Sequence, residues 1–259
     1  RSGSTCSCAA ARTAETRGAG LWAPARIPIL GFMCGRFLLY SSIETLERTF
    51  GLELQGARPN LEPRYNIAPT QRVAAIGVKE GRRGLAMMHW GLIPSWAKDR
   101  SIAAKLINAR GESVHTKPAF RAAFKARRCL IPADGFYEWH TEAGNKQPYV
   151  LEPAAGGPLA LGGLFERWRD PDDGELWSCT IVTTDASADI AHLHHRMPLV
   201  LTPDHWQAWL TAEPDDARAL IGPAPEATLR FRPVDKRVNN VRHDDPELIA
   251  EPPEQQAML

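Results

Sequence analysis

The sequence predicts an α+β domain built on mixed or antiparallel sheets with short helices. Short runs of β-branched or aromatic residues follow one another between Gly, Pro and Asp turns, which is typical of strands. A few amphipathic segments lie between them, without the regular alternation that a parallel βαβ fold requires. The chain has 259 residues, 44% hydrophobic and 24% charged, which is enough for one sizeable core.

The elements follow from local patterns. A strand is predicted over residues 36–40, and Ser42 should cap a helix that carries Ile43, Leu46 and Phe50 on one face. Further strands are predicted at residues 73–78, 85–90, 129–132, 136–140, 149–152, 159–168, 177–184 and 229–234, helices at 117–125 (starting at Pro118), 204–210 and 213–221, and a loop at 64–70.

Three segments differ in composition. Residues 1–32 are rich in Ala, Gly, Ser and Arg and contain one acid, Glu15. We interpret them as a disordered or poorly packed extension upstream of a biological start at Met33, with an organelle transit peptide as the alternative. Residues 33–244 are predicted to form a single domain, and the Pro-, Glu- and Gln-rich residues 245–259 a disordered tail.

Charge and cysteine content exclude several classes of protein. The formal net charge of +1 argues against a protein that coats nucleic acid indiscriminately, although a local basic groove is allowed. No apolar run approaches the roughly 18 residues of a membrane span, so we expect a soluble protein. The cysteines lack zinc-type spacing and favour a reducing compartment without a disulfide framework; they are Cys6, Cys8, Cys34, Cys129 and Cys179.

Cys34 directly follows Met33. Removal of an initiator methionine would leave Cys34 with a free α-amine beside its thiol, a 1,2-aminothiol. The amine can form a Schiff base with an aldehyde, and the thiol can then close a thiazolidine ring. The nearby Arg36 favours the thiolate. The alternative is a small buried hydrophobic residue at the head of a strand.

Two tryptophans flank a Gly/Pro loop. Trp90 and Trp96 enclose the sequence that contains Pro94. Such residues can form an apolar wedge or a stacking platform for nucleobases, where stacking contributes about 1–3 kcal/mol per base. Most tryptophans are core residues, and at least one of these two is expected to be buried.

Two short polar motifs could bind or activate a substrate. Asn108 and Arg110 would share one side of an extended segment as donors to a phosphate or a substrate oxygen. The alternative is a helix end with a solvated salt bridge. Glu138 lies between aromatic residues in a predicted strand, where partial burial would raise its pKa and suit it to proton transfer; an exposed edge position is the competing interpretation.

Residues 192–198 contain three histidines. No regularly spaced acid–histidine set accompanies them, so a metal site is disfavoured and no metal is predicted. One histidine acting as an acid or base near neutral pH is the better interpretation.

Together these motifs resemble the SRAP family (SOS response-associated peptidase), also called the abasic site processing family. The resemblance extends from Met33 to about Val241. It rests on eight motifs in order, namely MCGRF, RYNIAPTQ, WGLIPSWAKD, NARGE, KPAFRAAFKARRCLIPADGFYEW, ALGGLFERW, SCTIVTTDA and HLHHRMPLVL.

The resemblance implies an α+β domain whose groove binds single-stranded DNA with an abasic site. It implies that Cys34 becomes the N-terminus and forms a thiazolidine crosslink with the ring-opened sugar, with related autopeptidase and Schiff-base lyase chemistry. It implies that Asn108 orients the reacting centre and that Glu138 and His194 act as acid and base, with a structural role for the extra His195. Expected DNA contacts are Arg36, Asn66, Trp90, Pro94, Trp96 and Arg110.

No cofactor is required by this chemistry, and a monomer in the bacterial cytoplasm is expected. If residues 1–32 stayed attached, Cys34 would have no free amine and could not form the crosslink. Three alternatives remain. A cysteine hydrolase would pair Cys34 with His194, a single-strand-binding module would tolerate Cys34→Ala, and a histidine-based metalloenzyme would lose activity to chelators.

Overall fold

The structure is a computed structural model that describes residues 35–54, 56, 58–142, 144–170 and 174–250. Cys34, the predicted extension at residues 1–32 and residues 251–259 lie outside this described part.

The described residues form short strands and helices in a mixed order. The strands are β1 (Phe37–Leu39), β2 (Arg64–Ile67), β3 (Arg72–Lys79), β4 (Arg82–Trp90), β5 (Asn108–Arg110), β6 (Arg128–Ala133), β7 (Gly135–Glu142), β8 (Asn145–Pro153), β9 (Leu159–Asp170), β10 (Gly174–Asp185), β11 (Arg196–Pro198), β12 (Val200–Leu201) and β13 (Leu229–Pro233). The α-helices are α1 (Ile43–Phe50), α2 (Arg121–Ala126), α3 (Pro203–Thr211) and α4 (Pro214–Ala219). Four 3₁₀ helices lie at Arg100–Lys105, Gly111–Ser113, Lys236–Asn239 and Pro246–Ile249.

Five strands close into a barrel. Their order is β10-β4-β3-β6-β9, and β9 pairs again with β10 from Gly163↔Ile181 to Asp170↔Gly174. β10 runs parallel to β4 and to β5, whereas the other pairs of the ring are antiparallel. A closed ring leaves fewer unpaired strand edges than an open sheet.

The second sheet has the order β13-β8-β7-β1-β2 and is antiparallel throughout. Side chains alternate between its two faces. Phe37 and Phe136, which are paired, belong to the main core together with barrel residues, and the Phe37 ring meets Trp90 edge-on at 5.1 Å. The opposite face carries Leu38 and Tyr137, which pack in a smaller cluster with Val234, Val238 and Leu248 from the C-terminal segment.

The α+β class and the mixed and antiparallel sheets are confirmed, and most predicted elements occur within a few residues of their expected bounds. Ser42 caps α1 through its Oγ, which accepts from the amide of Thr45 at 3.3 Å, and Leu46 and Phe50 are buried as predicted.

Three local predictions were wrong. Residues 64–67 form β2 instead of a loop, because β1 and the carboxylate of Asp244 satisfy their backbone groups. The predicted helix at 117–125 is regular only as α2, after a turn over the preceding residues. Residues 245–250 are packed in the structure, because Leu248 is buried and Asp245 pairs with Arg237 at 2.9 Å, so the predicted tail does not begin at residue 245.

None of the helices in the described ranges is long and apolar enough to span a bilayer.

Candidate active site

The C-terminal end of β10 brings two of the predicted motifs together. β5, the first part of the NARGE motif, pairs in parallel with β10, setting Arg110 opposite Thr183. β11, which follows the histidine cluster, pairs with the other edge of β10 and sets Pro198 opposite the same Thr183. Asn108 is half-buried and Arg110 is exposed, as expected for an extended segment with an outward-facing cation.

A buried arginine ties these motifs to each other. Arg196 is 7% exposed, and its guanidinium forms a two-pronged ion pair with Glu112, in which Nη2 donates to Oε2 at 3.0 Å. Nη1 also donates to Asp185 Oδ1 at 2.7 Å, and Nη2 donates to the Thr183 carbonyl at 2.8 Å. We call these four residues the Arg196 clamp. The guanidinium therefore donates hydrogen bonds to three protein residues.

The clamp sets the charge of its members. The hydrogen bond from Arg196 holds the pKa of Glu112 below its ordinary value. Burial on its own would lower the pKa of Arg196, but the hydrogen bonds to Glu112 and Asp185 outweigh it and raise that pKa. Both partners are therefore charged at neutral pH.

Gly111 allows the close approach of this segment to its neighbours. A Cβ at this position would lie 2.4 Å from Ile221 Cγ2 and 3.1 Å from the carbonyl oxygen of Thr183. A larger residue would require the Ile221 side chain or the Thr183 backbone to shift.

His194 is held by the backbone of Arg196. Its Nδ1 lies 3.1 Å from the Arg196 amide nitrogen and 3.1 Å from the Arg196 carbonyl oxygen. A neutral ring can accept from the amide, which leaves the proton on Nε2, and a protonated ring can donate to the carbonyl. The same two atoms thus hold the ring in both charge states.

The pKa of His194 is lowered, mainly by burial, although the bond to the Arg196 carbonyl opposes the shift and the charges of His195 and Arg196 add to it. The imidazole is therefore mainly neutral at pH 7 and presents an acid–base group whose pKa lies below the ordinary histidine value. The His195 ring stacks on it at 4.5 Å and is itself exposed.

Glu138 lies in the other sheet. It is 5% exposed on β7, and alternation places it on the core-side face with Phe136. The Tyr137 amide donates to the Arg36 carbonyl at 3.0 Å, so Glu138 lies near the start of β1. The described chain begins at Gly35, and Cys34 precedes it.

Arg36 and Asn66 have structural partners. Both are buried, and Arg36 Nη1 donates to Asn66 Oδ1 at 2.7 Å and to the Val238 carbonyl at 2.8 Å. The Asn66 amide donates to the carbonyls of Val238, Asn240 and His243. These bonds fasten the C-terminal segment to the sheet face opposite Glu138. Asn66 is fully buried and so cannot contact DNA as predicted.

The tryptophan loop divides into a buried and an exposed part. Trp90 is fully buried, and its Nε1 donates to the Ile107 carbonyl at 2.9 Å, so it is a core residue and not the predicted base contact. Pro94 is also buried, and its carbonyl accepts from the Ala97 amide at 2.8 Å. Trp96 is 59% exposed, so its side chain is accessible to solvent.

Cys129 and Cys179, the cysteines within the described ranges, are both fully buried, and burial raises the pKa of each thiol. Neither thiol is suited to nucleophilic attack. Across the described ranges, no group of three or more His, Cys, Asp or Glu side chains is placed to hold a metal ion.

Sequence reasoning missed the Arg196 clamp. Glu112 belongs to the NARGE motif, but its partner lies 84 residues away in sequence. The available signal was Arg196 itself, because it adjoins the apolar run 197–201 and a buried arginine is almost always paired.

Comparison with known proteins identifies the family. The sequence profile of SOS response associated peptidase (SRAP) matches residues 33–241. The chain belongs to the SRAP family, as the order of motifs predicted.

The relatives come from bacteria and vertebrates. The chain is 36% identical to abasic site processing protein YoqW of Bacillus subtilis, with 84% of this chain and 99% of the relative covered. It is 32% identical to abasic site processing protein HMCES of Gallus gallus, covering 84% and 77%, and 31% identical to YedK of Escherichia coli, covering 84% and 99%. A crystal structure of a Bacteroides thetaiotaomicron protein shares the fold, with a TM-score of 0.77, 23% identity, and 85% and 100% coverage.

Proposed function

We propose that this protein processes abasic sites in single-stranded DNA and links itself covalently to them through Cys34. The relatives named above are called abasic site processing proteins, and the chain matches them over most of its length. The observation that carries the proposal is that β10 gathers the NARGE and histidine motifs, which the ion pair of Glu112 with Arg196 joins.

The proposed reaction begins at the N-terminal amine of Cys34 after Met33 is removed. The amine adds to the aldehyde carbon of the ring-opened sugar, and loss of one water gives a Schiff base. Sγ then adds to the same carbon, and the thiol proton moves to the nitrogen as the five-membered ring closes. One water leaves and no electrons are transferred. Hydrolysis of the Met33–Cys34 bond and strand cleavage from the Schiff base are the related peptidase and lyase reactions.

Glu138 and His194 are the proposed proton-transfer groups. Ring opening needs a proton at O4′, and Schiff-base formation needs a proton for the departing hydroxyl. Burial and the neutral state of His194 suit it to accept and return a proton near neutral pH. Buried Glu138 follows Tyr137, whose amide donates to the carbonyl of Arg36, two residues after Cys34. Acid–base help of this kind contributes about 10²–10⁴-fold in rate.

Asn108, Arg110 and Trp96 are the proposed binding groups. Asn108 would orient the sugar, and exposed Arg110 would bind a flanking phosphate. The free ring of Trp96 would stack on a base beside the lesion. We propose that the protein acts as a monomer in the cytoplasm of a bacterium.

The test uses protein that starts at Met33 and an oligonucleotide with one abasic site. A species that survives heating on a denaturing gel is expected for this protein but not for Cys34→Ala. The full 1–259 chain should give no band, because its Cys34 has no free amine. Absence of the band, with N-terminal Cys34 verified by intact mass, would overturn the crosslinking proposal and leave the cysteine hydrolase as the alternative.

A further inference from the structure

The segment that leads into and contains α2 is strongly basic. Residues 110–128 contain six Lys or Arg residues and one Glu, a formal charge of +5, whereas the whole chain carries +1. The rest of the chain is therefore net acidic, and the positive charge is concentrated here.

Two of these six cations serve the fold. Arg127 pairs with buried Glu166 at 2.8 Å, and buried Arg128 donates to the backbone carbonyl of Phe124 at 2.6 Å. Arg128 also bonds the carbonyls of Trp209 and Ala212, which lie in and just after α3. These contacts anchor α2 to its neighbours.

The other four cations are exposed and form no ion pair with any described residue; they are Arg110, Lys117, Arg121 and Lys125. Like charges four residues apart on a helix destabilise it by a few tenths of a kcal/mol per pair. A solvated helix face usually mixes both signs of charge. An uncompensated row of this kind is better matched by an anionic partner.

Three of these cations, Lys117, Arg121 and Lys125, lie at intervals of four residues along the chain. The Arg121 amide donates to the Lys117 carbonyl at 2.9 Å in the turn that leads into α2, and Arg121 and Lys125 lie one turn apart in that helix, about 6 Å along its axis. Phe120 and Phe124 are buried beneath them and fix which face points outward. The Lys117 amide donates to the Ser113 carbonyl at 3.0 Å, in the 3₁₀ helix that directly follows Arg110.

We infer that Lys117, Arg121 and Lys125 form a phosphate-binding track for the DNA strand flanking the lesion, continuing from Arg110. This inference rests on the proposed function, because it assumes that DNA is the ligand. The track supplies affinity without sequence preference, since it addresses phosphates and not bases.

The test measures non-covalent binding of an intact, fluorescein-labelled single-stranded oligonucleotide across a salt series. In the Lys117→Gln/Arg121→Gln/Lys125→Gln variant, the slope of log K against log salt should become less negative by about 2, because each single-strand phosphate contact contributes about 0.7. Affinity near 0.1 M salt should fall about 10- to 100-fold. The control Arg48→Gln/Lys79→Gln/Lys236→Gln removes the same charge from exposed positions elsewhere and should barely change the slope.

The outcomes separate the track from the proposed function. Two results would overturn the track and leave the crosslinking proposal standing. In the first, wild-type protein binds DNA and the Lys117→Gln/Arg121→Gln/Lys125→Gln variant keeps the wild-type salt slope. In the second, the control variant loses as much DNA affinity as that variant does. If the wild-type protein does not bind intact DNA, the track is overturned, whereas the crosslinking proposal is overturned only by absence of the heat-stable band with abasic DNA. The exchange Lys117→Arg/Arg121→Lys/Lys125→Arg keeps the charge and should keep the slope, which guards against a folding defect.

Discussion

Arg196 and Glu112 join two motifs that lie 84 residues apart in sequence, through an ion pair across the end of β10. Arg196 is buried, whereas the Glu112 side chain is 53% exposed. The backbone of the same Arg196 holds His194. One residue therefore fixes both the NARGE segment and the proposed acid–base group.

Substitutions in the Arg196 clamp should have unequal effects on stability. Arg196→Ala removes hydrogen bonds to Glu112, Asp185 and Thr183 and empties a buried volume, so we expect a loss of about 2–4 kcal/mol in the free energy of unfolding. Glu112→Gln leaves Arg196 its other two partners and should cost about 1 kcal/mol. Urea denaturation measures both, and equal losses would contradict the clamp.

The stabilisation that Glu112 contributes through the Arg196 clamp should depend on pH. The lowered pKa of Glu112 means that the folded state favours its charged form, so this stabilisation is complete above about pH 4.3 and is lost as pH falls through the lowered value. The difference in unfolding free energy between wild type and Glu112→Gln should therefore shrink in acid. A difference that stays constant down to pH 3 would exclude this linkage.

If His194 is the acid–base group, the rate of crosslinking should fall in acid at a pH below the ordinary histidine pKa. Burial lowers its pKa, so the neutral ring persists as pH drops below about 6.5. If the neutral ring is the working form, the rate at saturating DNA should hold through that pH and fall only in stronger acid. His194→Asn should lower the rate about 10²–10⁴-fold and remove this fall in acid. His195→Asn is the matched control, and an equal loss there would move the role to the neighbouring ring.

Substitution of Trp90 should change mainly the stability of the protein, and substitution of Trp96 mainly its DNA affinity. Trp90→Ala should cost about 3–5 kcal/mol of unfolding free energy, because the indole is fully buried and bonded to the Ile107 carbonyl. Trp96→Ala should leave stability within about 0.5 kcal/mol and weaken DNA binding by about 1–3 kcal/mol. Thermal unfolding and fluorescence anisotropy provide the two readouts. Unchanged affinity in Trp96→Ala would remove the stacking role.

Asn66→Ala should loosen the C-terminal segment. The amide holds the carbonyls of Val238, Asn240 and His243, and its loss leaves those acceptors without this donor. We expect faster amide hydrogen exchange over residues 238–249, with less change in the barrel strands. Uniform acceleration across the domain would instead indicate global destabilisation.

Much of the fold was predictable because its patterns are local. Alternation and turn residues located most strands, and Ser42 with the Ile43–Phe50 face located α1. The two-residue β12 and three-residue β11 were missed, because so short a segment carries no periodicity. Closure of the barrel depends on the pairing of β9 with β10, which sequence patterns do not specify.

The site was predictable in its residue types but not in all its roles. Polar residues in a motif can either bind a ligand or hold the chain, and sequence alone does not distinguish them. Asn66 and Arg36 hold the C-terminal segment, and Trp90 fills the core. Arg110 and Trp96 remain exposed, as a binding role requires. Burial identifies the residues with structural partners, whereas the binding roles of Arg110 and Trp96 stay predictions.

The most direct measurement of the central proposal is the intact mass of the covalent product formed by protein that begins at Cys34. We expect the mass of protein plus abasic oligonucleotide minus one water, no mass gain after borohydride treatment, and no alkylation of Cys34 by iodoacetamide. A reducible adduct with a free Cys34 thiol would show that the reaction stops at the Schiff base. A product without DNA mass would contradict covalent capture altogether.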